Sequence, residues 1–578
     1  MGSASLLRSF ARSVVVAVIF VLAFEATTRG MGWLDPTTRP DPYLGLAGTP
    51  PLYPAREAGN GTRVRRTAPN KNGTYRVLGF AAEKPADEFR VFCIGGSSVR
   101  SDAFMDPDGS FPAMLEIYLS ALMPDKTARV INAGGGGMGS LQNLEVLREI
   151  LDYDPDLVLV YPEGGEKNFL PPSPLGAMAG RDDESPLRAA ARRELAQLRL
   201  YGFARETYRR LMPSAAAGGP RPSAFSAFVL SVISQPFAPE NFTRLFEMKI
   251  DRVPPVMKHP IPPEQIATSH ARYARVLDTM GELCADDDVP MMLMLPVFNL
   301  KSSFYLRFYI DPSEIQTGRI AEWRKAYETG LVAKRAGRYE EAIASLETVR
   351  SLYVEDRDQI LAFDLAECHE ALGRTQRAQR EYARPFLTHP VRALIREAAD
   401  EHGVPLIDPF GALVAVSAGG VPGFDEFSDA FHPMPKTNRI IARSVVNALR
   451  REGAAGELLP DDSETARRAD RDVFERMARC RIPVHSRMSK ACAEGDWAAA
   501  VAIAREVPED VLFGSMFVET MYLGWASVRA DDIDGAKQVY DVMRKQLWRP
   551  GRRGAVPALK TDQDIVRVAY GGDLFAWL

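Results

Sequence analysis

The chain is poor in the residues that build disulfide frameworks and metal centres. Its 578 residues include five cysteines and seven histidines, scattered along the length. No two cysteines show Cys-x-x-Cys spacing, so the pattern predicts neither a zinc nor an iron–sulfur site. Cys93 lies within an apolar run and is expected to be a small core residue. We therefore expect no metal ion in this protein.

An excess of basic charge is also missing. Lysine and arginine number 71 against 75 acidic residues, which gives a formal net charge of −4. Without a basic footprint we expect no nucleic-acid partner. Hydrophobic and charged contents of 46% and 25% are those of an ordinary globular protein. The length alone predicts about three or four domains.

Long apolar runs are scarce, and the amino terminus carries a short one. Residues 14–24 are apolar, follow Arg8 and Arg12, and precede Glu25. A run of this length fits a signal-peptide core, but no small-x-small cleavage site follows it. Extended towards the amino terminus, the segment nearly reaches the length of a membrane span, with the arginines snorkelling. We predict an uncleaved signal-anchor over 1–34, with the arginines in the cytoplasm and the rest on the periplasmic side of the cytoplasmic membrane. A cleaved signal peptide and a buried amphipathic helix are the alternatives.

Several apolar runs stop abruptly at glycine, proline or polar residues, which is typical of strands in a buried parallel sheet. These runs are 91–94, 128–132, 157–161, 291–295 and 404–408. A helical stretch, 111–122, separates the first two runs. The order predicts an α/β fold with a mainly parallel sheet, in which ligands gather at the carboxyl ends of the strands.

Side chains suited to nucleophilic catalysis stand at two places. Ser97 follows Gly95 and Gly96 at the end of the first run, and Asp429 and His432 are three positions apart much later. A serine hydroxyl is inert until an imidazole takes its proton, and the imidazole needs a partner on its other nitrogen. We predict Ser97 as nucleophile, His432 as base and Asp429 as the group that orients it. The absence of Gly-x-Ser-x-Gly argues against an α/β-hydrolase elbow.

Together with the glycine-rich segment 133–140 and the polar segment 163–169, these residues resemble the four blocks of the SGNH (GDSL-like) hydrolase family. The resemblance covers about 75–170 and 285–450. It implies a three-layer α/β/α domain in which Ser97, Asp429 and His432 form the catalytic triad. It also implies that the backbone N–H of Ser97 and that of Gly137 line the oxyanion hole. Such a site acts on esters and needs no cofactor.

The third block departs from the family pattern. The family has Gly-x-Asn, whose asparagine donates to the oxyanion, whereas here Lys167 occupies that position and Asn168 follows it. A one-residue bulge would let Asn168 serve, and Asn168 is our leading candidate for the oxyanion hole. Alternatively, Lys167 supplies a cationic donor, the site is weakened, or the segment is simply a polar loop. Loss of one oxyanion donor typically lowers the rate by about 10²–10³.

Two helical regions repeat a spacing that resembles the tetratricopeptide repeat. Gly337 and Gly373 are 36 residues apart in matching positions, and Gly495 and Asp531 show the same separation. Small glycine and alanine residues at the repeat positions, Gly330 and Ala342 among them, allow close helix crossing. Generic helical hairpins are the alternative, above all for the second pair. The regions predicted to contain these helices are 322–388 and 456–578.

The predicted organisation is a signal-anchor, an extended arm, a hydrolase domain split by the helical insertion, and a helical tail. The boundaries are 1–34, 35–88, 89–321, 322–388, 389–455 and 456–578. This order predicts a membrane-anchored serine esterase acting on an envelope or extracellular ester, either an acetylated glycan or a lipid. Two alternatives stay open: a weak or inactive scaffold whose helical repeats bind a partner protein, and an O-acyltransferase that uses the same triad.

Overall fold

The computed structural model describes most of the chain between residues 51 and 509. The described ranges are 19–35, 51–101, 107–162, 263–302, 312–354 and 359–509, without 60, 73, 137, 481 and 483, together with residues 15 and 253 and scattered positions in 187–203 and 512–539. Within these ranges the strands are β1 (Ala55–Glu57), β2 (Arg63–Arg66), β3 (Gly79–Ala81), β4 (Glu88–Gly95), β5 (Thr127–Asn132), β6 (Leu157–Tyr161), β7 (Met291–Met294) and β8 (Leu406–Ile407).

A parallel five-stranded sheet organises the middle of the molecule, with the strand order β5-β4-β6-β7-β8. Val91 of β4 is in register with Leu157 of β6, and Phe92 with Ile131 of β5. All five apolar runs of the sequence contribute a strand to this sheet. Alternate side chains of such strands point to opposite faces, so a sheet covered on both sides needs continuous apolar runs.

Helices cover both faces of the sheet. The helices with described bounds are α1 (Ser97–Arg100), α2 (Phe111–Leu122), α3 (Ser140–Ile150), α4 (Pro263–Asp286), α5 (Ile320–Arg335), α6 (Tyr339–Ser351), α7 (Gln359–Ala371), α8 (Thr375–Leu387), α9 (Pro390–Glu401), α10 (Phe410–Val416), α11 (Pro435–Glu452), α12 (Glu464–Arg479), α13 (Val484–Glu494) and α14 (Trp497–Arg505). Helices α3, α4 and α9 share one buried cluster with the sheet, and α2, α11 and α12 share the other. The predicted three-layer α/β/α fold with additional helices is confirmed.

The segment before β4 differs from the predicted extended arm. Strands β1, β2 and β3 form an antiparallel sheet of their own. Tyr53, Tyr75 and Phe80 from this region are buried in the same cluster as β4 and β6. The short strands carry arginines and glycine, so their apolar pattern is too brief to predict pairing. From residue 51 onwards, the described part of 35–88 therefore packs on the α/β domain.

The insertion between β7 and β8 contains the helical hairpins α5–α6 and α7–α8. A Cβ on Gly330 of α5 would lie 2.9 Å from Leu346 of α6, so the small residue permits the close crossing that the sequence predicted.

A buried ion network joins the two hairpins: Lys334 contacts Asp364 at 2.5 Å and Glu367 at 2.5 Å. These helices share a core with Leu300 and Val421 of the α/β domain. Their assignment as tetratricopeptide repeats stays a prediction.

Helices after residue 456 divide between two cores. Helix α12 buries Ala466, Ala469 and Val473 against the α/β sheet's helices. Helices α13 and α14 form a separate cluster, against which Phe424 packs. The sequence placed all of this region in one helical tail. Instead, α12 belongs to the α/β core, because its apolar stripe faces α2.

An amino-terminal helix occupies residues 19–30. The backbone N–H of Leu200 donates to the Glu25 carboxylate at 2.8 Å, so a later segment packs on this helix. Ile19, Phe20 and Leu22 are 60%, 60% and 63% exposed. Among the described residues, none of the helices combines the length and the apolar character that a membrane crossing requires.

Candidate active site

The turn after β4 presents Ser97 at the carboxyl edge of the sheet. Gly95 ends β4, and a Cβ there would lie 2.6 Å from the Tyr161 carbonyl oxygen and 2.4 Å from Val99. Only glycine fits such an approach. Ser97 is the first residue of α1. The first N–H groups of a helix have no acceptor within that helix, so the oxyanion role predicted for the Ser97 N–H requires no helical bond to break.

The segment after β5 is tied to this turn by Asn132. The side-chain amide of Asn132 donates to the Val99 carbonyl at 2.7 Å, and its oxygen accepts from the Gly134 N–H at 3.1 Å. A Cβ on Gly134 would lie 2.6 Å from the backbone nitrogen of Arg100, so the glycine lets the two segments touch. The glycine-rich segment therefore runs directly beside the turn that carries Ser97.

His432 and Asp429 reach Ser97 from a loop 335 positions away in the chain. The Nε2 atom of His432 lies 2.8 Å from the Ser97 Oγ. Its Nδ1 atom lies 2.5 Å from the Asp429 Oδ2. An ionised carboxylate only accepts hydrogen bonds, so Nδ1 carries the proton and Nε2 accepts from the serine hydroxyl. The structure thus brings together the three residues predicted as nucleophile, base and orienting group.

The Asp429 side chain is fixed as well as the histidine. Its second oxygen, Oδ1, accepts from the backbone N–H groups of Phe431 and His432, both at 2.9 Å. This turn leaves Oδ2 facing the imidazole. His432 is only 3% exposed. Hydrogen bonds in such a water-poor setting are stronger than the same bonds in water.

The loop carrying both residues, 427–433 (the Asp-His loop), has every carbonyl from 429 to 433 bonded. Asn299 donates to the first two, from its side-chain amide to Asp429 at 2.8 Å and from its backbone N–H to Ala430 at 2.9 Å. The Ser98 hydroxyl donates to the carbonyl of residue 431, the Ser428 N–H to that of residue 432, and the Asn438 side-chain amide to that of residue 433. The pairing of these five successive carbonyls favours one conformation for this part of the loop.

Sequence reasoning missed the roles of Ser98, Asn299 and Asn438. All three are buried. The available signal is positional: Asn299 follows β7 at the same edge of the sheet as Ser97, although its partner lies 130 positions away. Every residue type has a backbone carbonyl, so the sequence does not indicate which carbonyls these side chains bind.

The other predicted oxyanion residues lie outside the described part of the chain. These are Gly137 and Asn168, with Lys167 as the alternative to Asn168. Cys93, expected in the core, lies in β4 and is buried, and burial raises the pKa of its thiol far above the ordinary value. It is therefore a neutral packing residue beneath the site. Among the described residues, no group of three or more histidine, cysteine, aspartate or glutamate side chains could hold a metal ion.

A search of protein-family models and of curated proteins finds no match to this chain. Among solved structures, a Bacteroides fragilis protein provisionally described as an acylhydrolase covers 64% of this chain and 90% of its own, at 9% identity and a TM-score of 0.25. A GDSL-like lipase from Bacteroides thetaiotaomicron covers 64% of this chain and 92% of its own, at 11% identity and a TM-score of 0.24. Likeness at this level carries no argument. The chain's α/β class rests on its sheet order and helix layers, and the chemistry rests on the site itself.

Proposed function

We propose that this protein is a serine hydrolase that cleaves ester bonds. The observation that carries the proposal is the continuous hydrogen-bond path from Ser97 through His432 to Asp429. Such a path is what a hydroxyl nucleophile needs, because the base lies in contact with the proton it removes and is itself oriented by a third group. Turnover of short aryl esters, together with labelling of Ser97 by a fluorophosphonate probe, tests the proposal.

In the proposed reaction, Ser97 Oγ forms a bond to the acyl carbon while its proton passes to His432 Nε2. Asp429 stabilises the imidazolium that results, without taking the proton itself. His432 then returns the proton to the departing alkoxide, which leaves as an alcohol. Water, deprotonated by His432, then attacks the acyl carbon. The bond from this carbon to Ser97 Oγ breaks, His432 returns its proton to Oγ, and the carboxylic acid is released. No cofactor enters these steps.

The oxyanion donors form the next part of this proposal. We propose that the N–H groups of Ser97 and Gly137 donate to the oxyanion and that Asn168 is the third donor. Asn168→Ala should then lower kcat by about 10²–10³ with little change in KM, because this bond forms fully only in the transition state. Steady-state kinetics on an aryl ester measure both quantities. The matched variant is Lys167→Ala. A loss in Lys167→Ala with a silent Asn168→Ala would assign the donor to the lysine instead.

We further propose that the amino-terminal helix anchors the protein in the cytoplasmic membrane with the catalytic domain on the periplasmic side. The exposed apolar side chains of Ile19, Phe20 and Leu22 support an apolar environment for this helix. The full chain should sediment with membranes, resist alkaline extraction, and expose residues after Arg29 to protease added outside that membrane. A chain lacking residues 1–34 is the control and should be extracted. A mature amino terminus near residue 27 in the soluble fraction would show a cleaved signal instead.

An envelope ester, either an acetylated glycan or a lipid, is the proposed substrate class, since a periplasmic active site meets such esters. The same triad would transfer the acyl group to a sugar hydroxyl if water were excluded from the acyl-enzyme. Partition of a labelled acyl group between water and an added glycan acceptor separates hydrolase from O-acyltransferase. The triad supports both outcomes equally.

A second candidate, partner binding by the helices, is favoured by a cavity of about 260 Å³ between the insertion and α13. Its lining includes Phe363 and Tyr382 from the insertion, Phe424 from the segment before the Asp-His loop, and Lys490 from α13. Such a mixed apolar and charged hollow would suit a side chain of a partner protein. A protein that binds such a partner but never reacts with a fluorophosphonate would be a scaffold.

A further inference from the structure

Two of the hydrogen bonds that Asn299 makes reach the Asp-His loop, and a third orients its side chain. It is 2% exposed and lies in the loop that follows β7. Its Oδ1 accepts from the Lys301 N–H at 3.0 Å, and its Nδ2 donates to the Asp429 carbonyl at 2.8 Å. The acceptor bond fixes which end of the side-chain amide faces Asp429, because an N–H group cannot pair with the NH₂ end.

The backbone of Asn299 supports the same loop. Its N–H donates to the Ala430 carbonyl at 2.9 Å. Two successive carbonyls are therefore held by one residue, through a side chain and a main chain that cannot move independently. The next N–H, that of Leu300, donates to the Pro422 carbonyl at 2.9 Å and fastens the chain that leads into the loop.

We infer that Asn299 is a positioning residue that sets the placement of Asp429, and through it of His432, relative to Ser97. Asn299 touches none of the reacting atoms, and it acts through the Asp429 peptide group. Since Asp429 Oδ2 lies 2.5 Å from His432 Nδ1, a displacement of this peptide moves the imidazole away from the serine hydroxyl. Rate depends steeply on such placement, and a shift of about 1 Å lowers it by about 10². The inference deepens the proposed function and rests on it for its kinetic part.

Two variants separate the donor bond from the acceptor bond. Asn299→Ala loses both side-chain bonds. Asn299→Asp keeps an oxygen that accepts from Lys301 but has no donor for the Asp429 carbonyl. Both should lower kcat on a short aryl ester by about 10–100-fold with KM unchanged, because the lost bond places the Asp429 peptide group and has no proposed part in binding the substrate. The rate of fluorophosphonate labelling should fall in the same proportion.

The matched control is Lys301→Ala, two positions along the same loop. Its ammonium contacts Glu370 of the insertion at 2.7 Å, so this variant disturbs the loop without touching the Asn299 side-chain bonds. It should keep the wild-type kcat. Unchanged kcat in both Asn299 variants, or an equal loss in Lys301→Ala, would overturn the inference.

A spectroscopic measurement keeps the inference separate from the proposed activity. The proton between His432 Nδ1 and Asp429 is expected far downfield in the proton NMR spectrum, since charge-assisted short hydrogen bonds deshield it. Asn299→Ala should shift or remove that resonance, while Lys301→Ala should leave it in place. If the wild-type protein shows the resonance but neither hydrolyses the ester nor reacts with the fluorophosphonate, the proposed function is contradicted and the inference is not. If the wild-type protein hydrolyses the ester but the downfield resonance is unchanged in Asn299→Ala, the inference is contradicted and the proposed function is not.

Discussion

Ser97→Ala and His432→Ala should each lower the kcat of ester hydrolysis by about 10⁶-fold, close to the loss from removing all three residues together. The reason is that nucleophile and base act as one unit: without His432, the Ser97 hydroxyl keeps its proton, and without Ser97 the imidazole has nothing to activate. Purified protein lacking residues 1–34, assayed on a short aryl ester, measures the effect.

Asp429→Asn should retain more residual activity, with kcat lowered by about 10⁴-fold. Its Oδ1 position is fixed by the N–H groups of Phe431 and His432, so the new NH₂ group would face His432 Nδ1. Two donors cannot share a bond, and the imidazole would place its proton on Nε2. In that tautomer His432 cannot accept the Ser97 proton.

A matched control for the base is His402→Gln. His402 also faces a carboxylate, Asp278, at 3.5 Å, and it packs against Gly281 of α4. This variant should keep wild-type turnover, which would exclude a general need for histidine–aspartate pairs. The triad assignment fails if the probe labels Ser98, if wild-type protein neither labels nor turns over, or if His402→Gln is as damaging as His432→Ala.

Lys334→Met should destabilise the insertion by about 3–5 kcal/mol, because it leaves two carboxylates with no cation. Asp364 is wholly buried, and its other partner is the Tyr327 hydroxyl at 2.6 Å. Burial lowers the pKa of Lys334, but Asp364 and Glu367 more than offset this and hold the pKa above its ordinary value. The lysine is therefore charged throughout the neutral range. Urea unfolding followed by tryptophan fluorescence measures the loss, with the buried Trp323 as a reporter within the insertion.

The deficit of Lys334→Met should shrink as the pH is lowered. Burial already raises the pKa of Asp364 to about 6, although the attraction of Lys334 opposes it. Without the lysine this folded-state pKa rises further above the unfolded value, so folding takes up a proton and is favoured by acid. The control is Arg338→Met, whose exposed pair with Glu341 should be worth at most about 1 kcal/mol. Equal midpoints for the two variants would contradict the role given to the buried network.

The α/β layers were predictable because their strands are buried on both faces. The run 157–161, for example, is apolar at every position, and all five of its residues are buried in β6. The residues that meet at the edge could be chosen by chemistry alone, since serine, histidine and aspartate form few other useful combinations. Their distances could not, because the Asp-His loop approaches Ser97 only through the folded backbone.

Features that depend on backbone groups or on a distant partner could not be predicted from the sequence. Strand β2, Arg63–Arg66, has no apolar alternation, and it pairs with its neighbours through backbone groups. Asn299 binds two carbonyls, which any residue type can provide. Helix α12 looked like part of a tail because its apolar stripe gives no indication of which helix it meets. In each case the missing information was the identity of a distant partner.

The 335-residue separation of Ser97 from His432 has a consequence for the newly made chain. At about 5–20 residues per second, the ribosome reaches the histidine about 20–70 s after the serine. During that time the turn after β4 exists without the base that we propose for it, and edge strand β8 is synthesised only late in the interval. On the proposed mechanism, a nascent chain has no base to activate Ser97 until His432 has been synthesised, so it cannot carry out acyl transfer before that point.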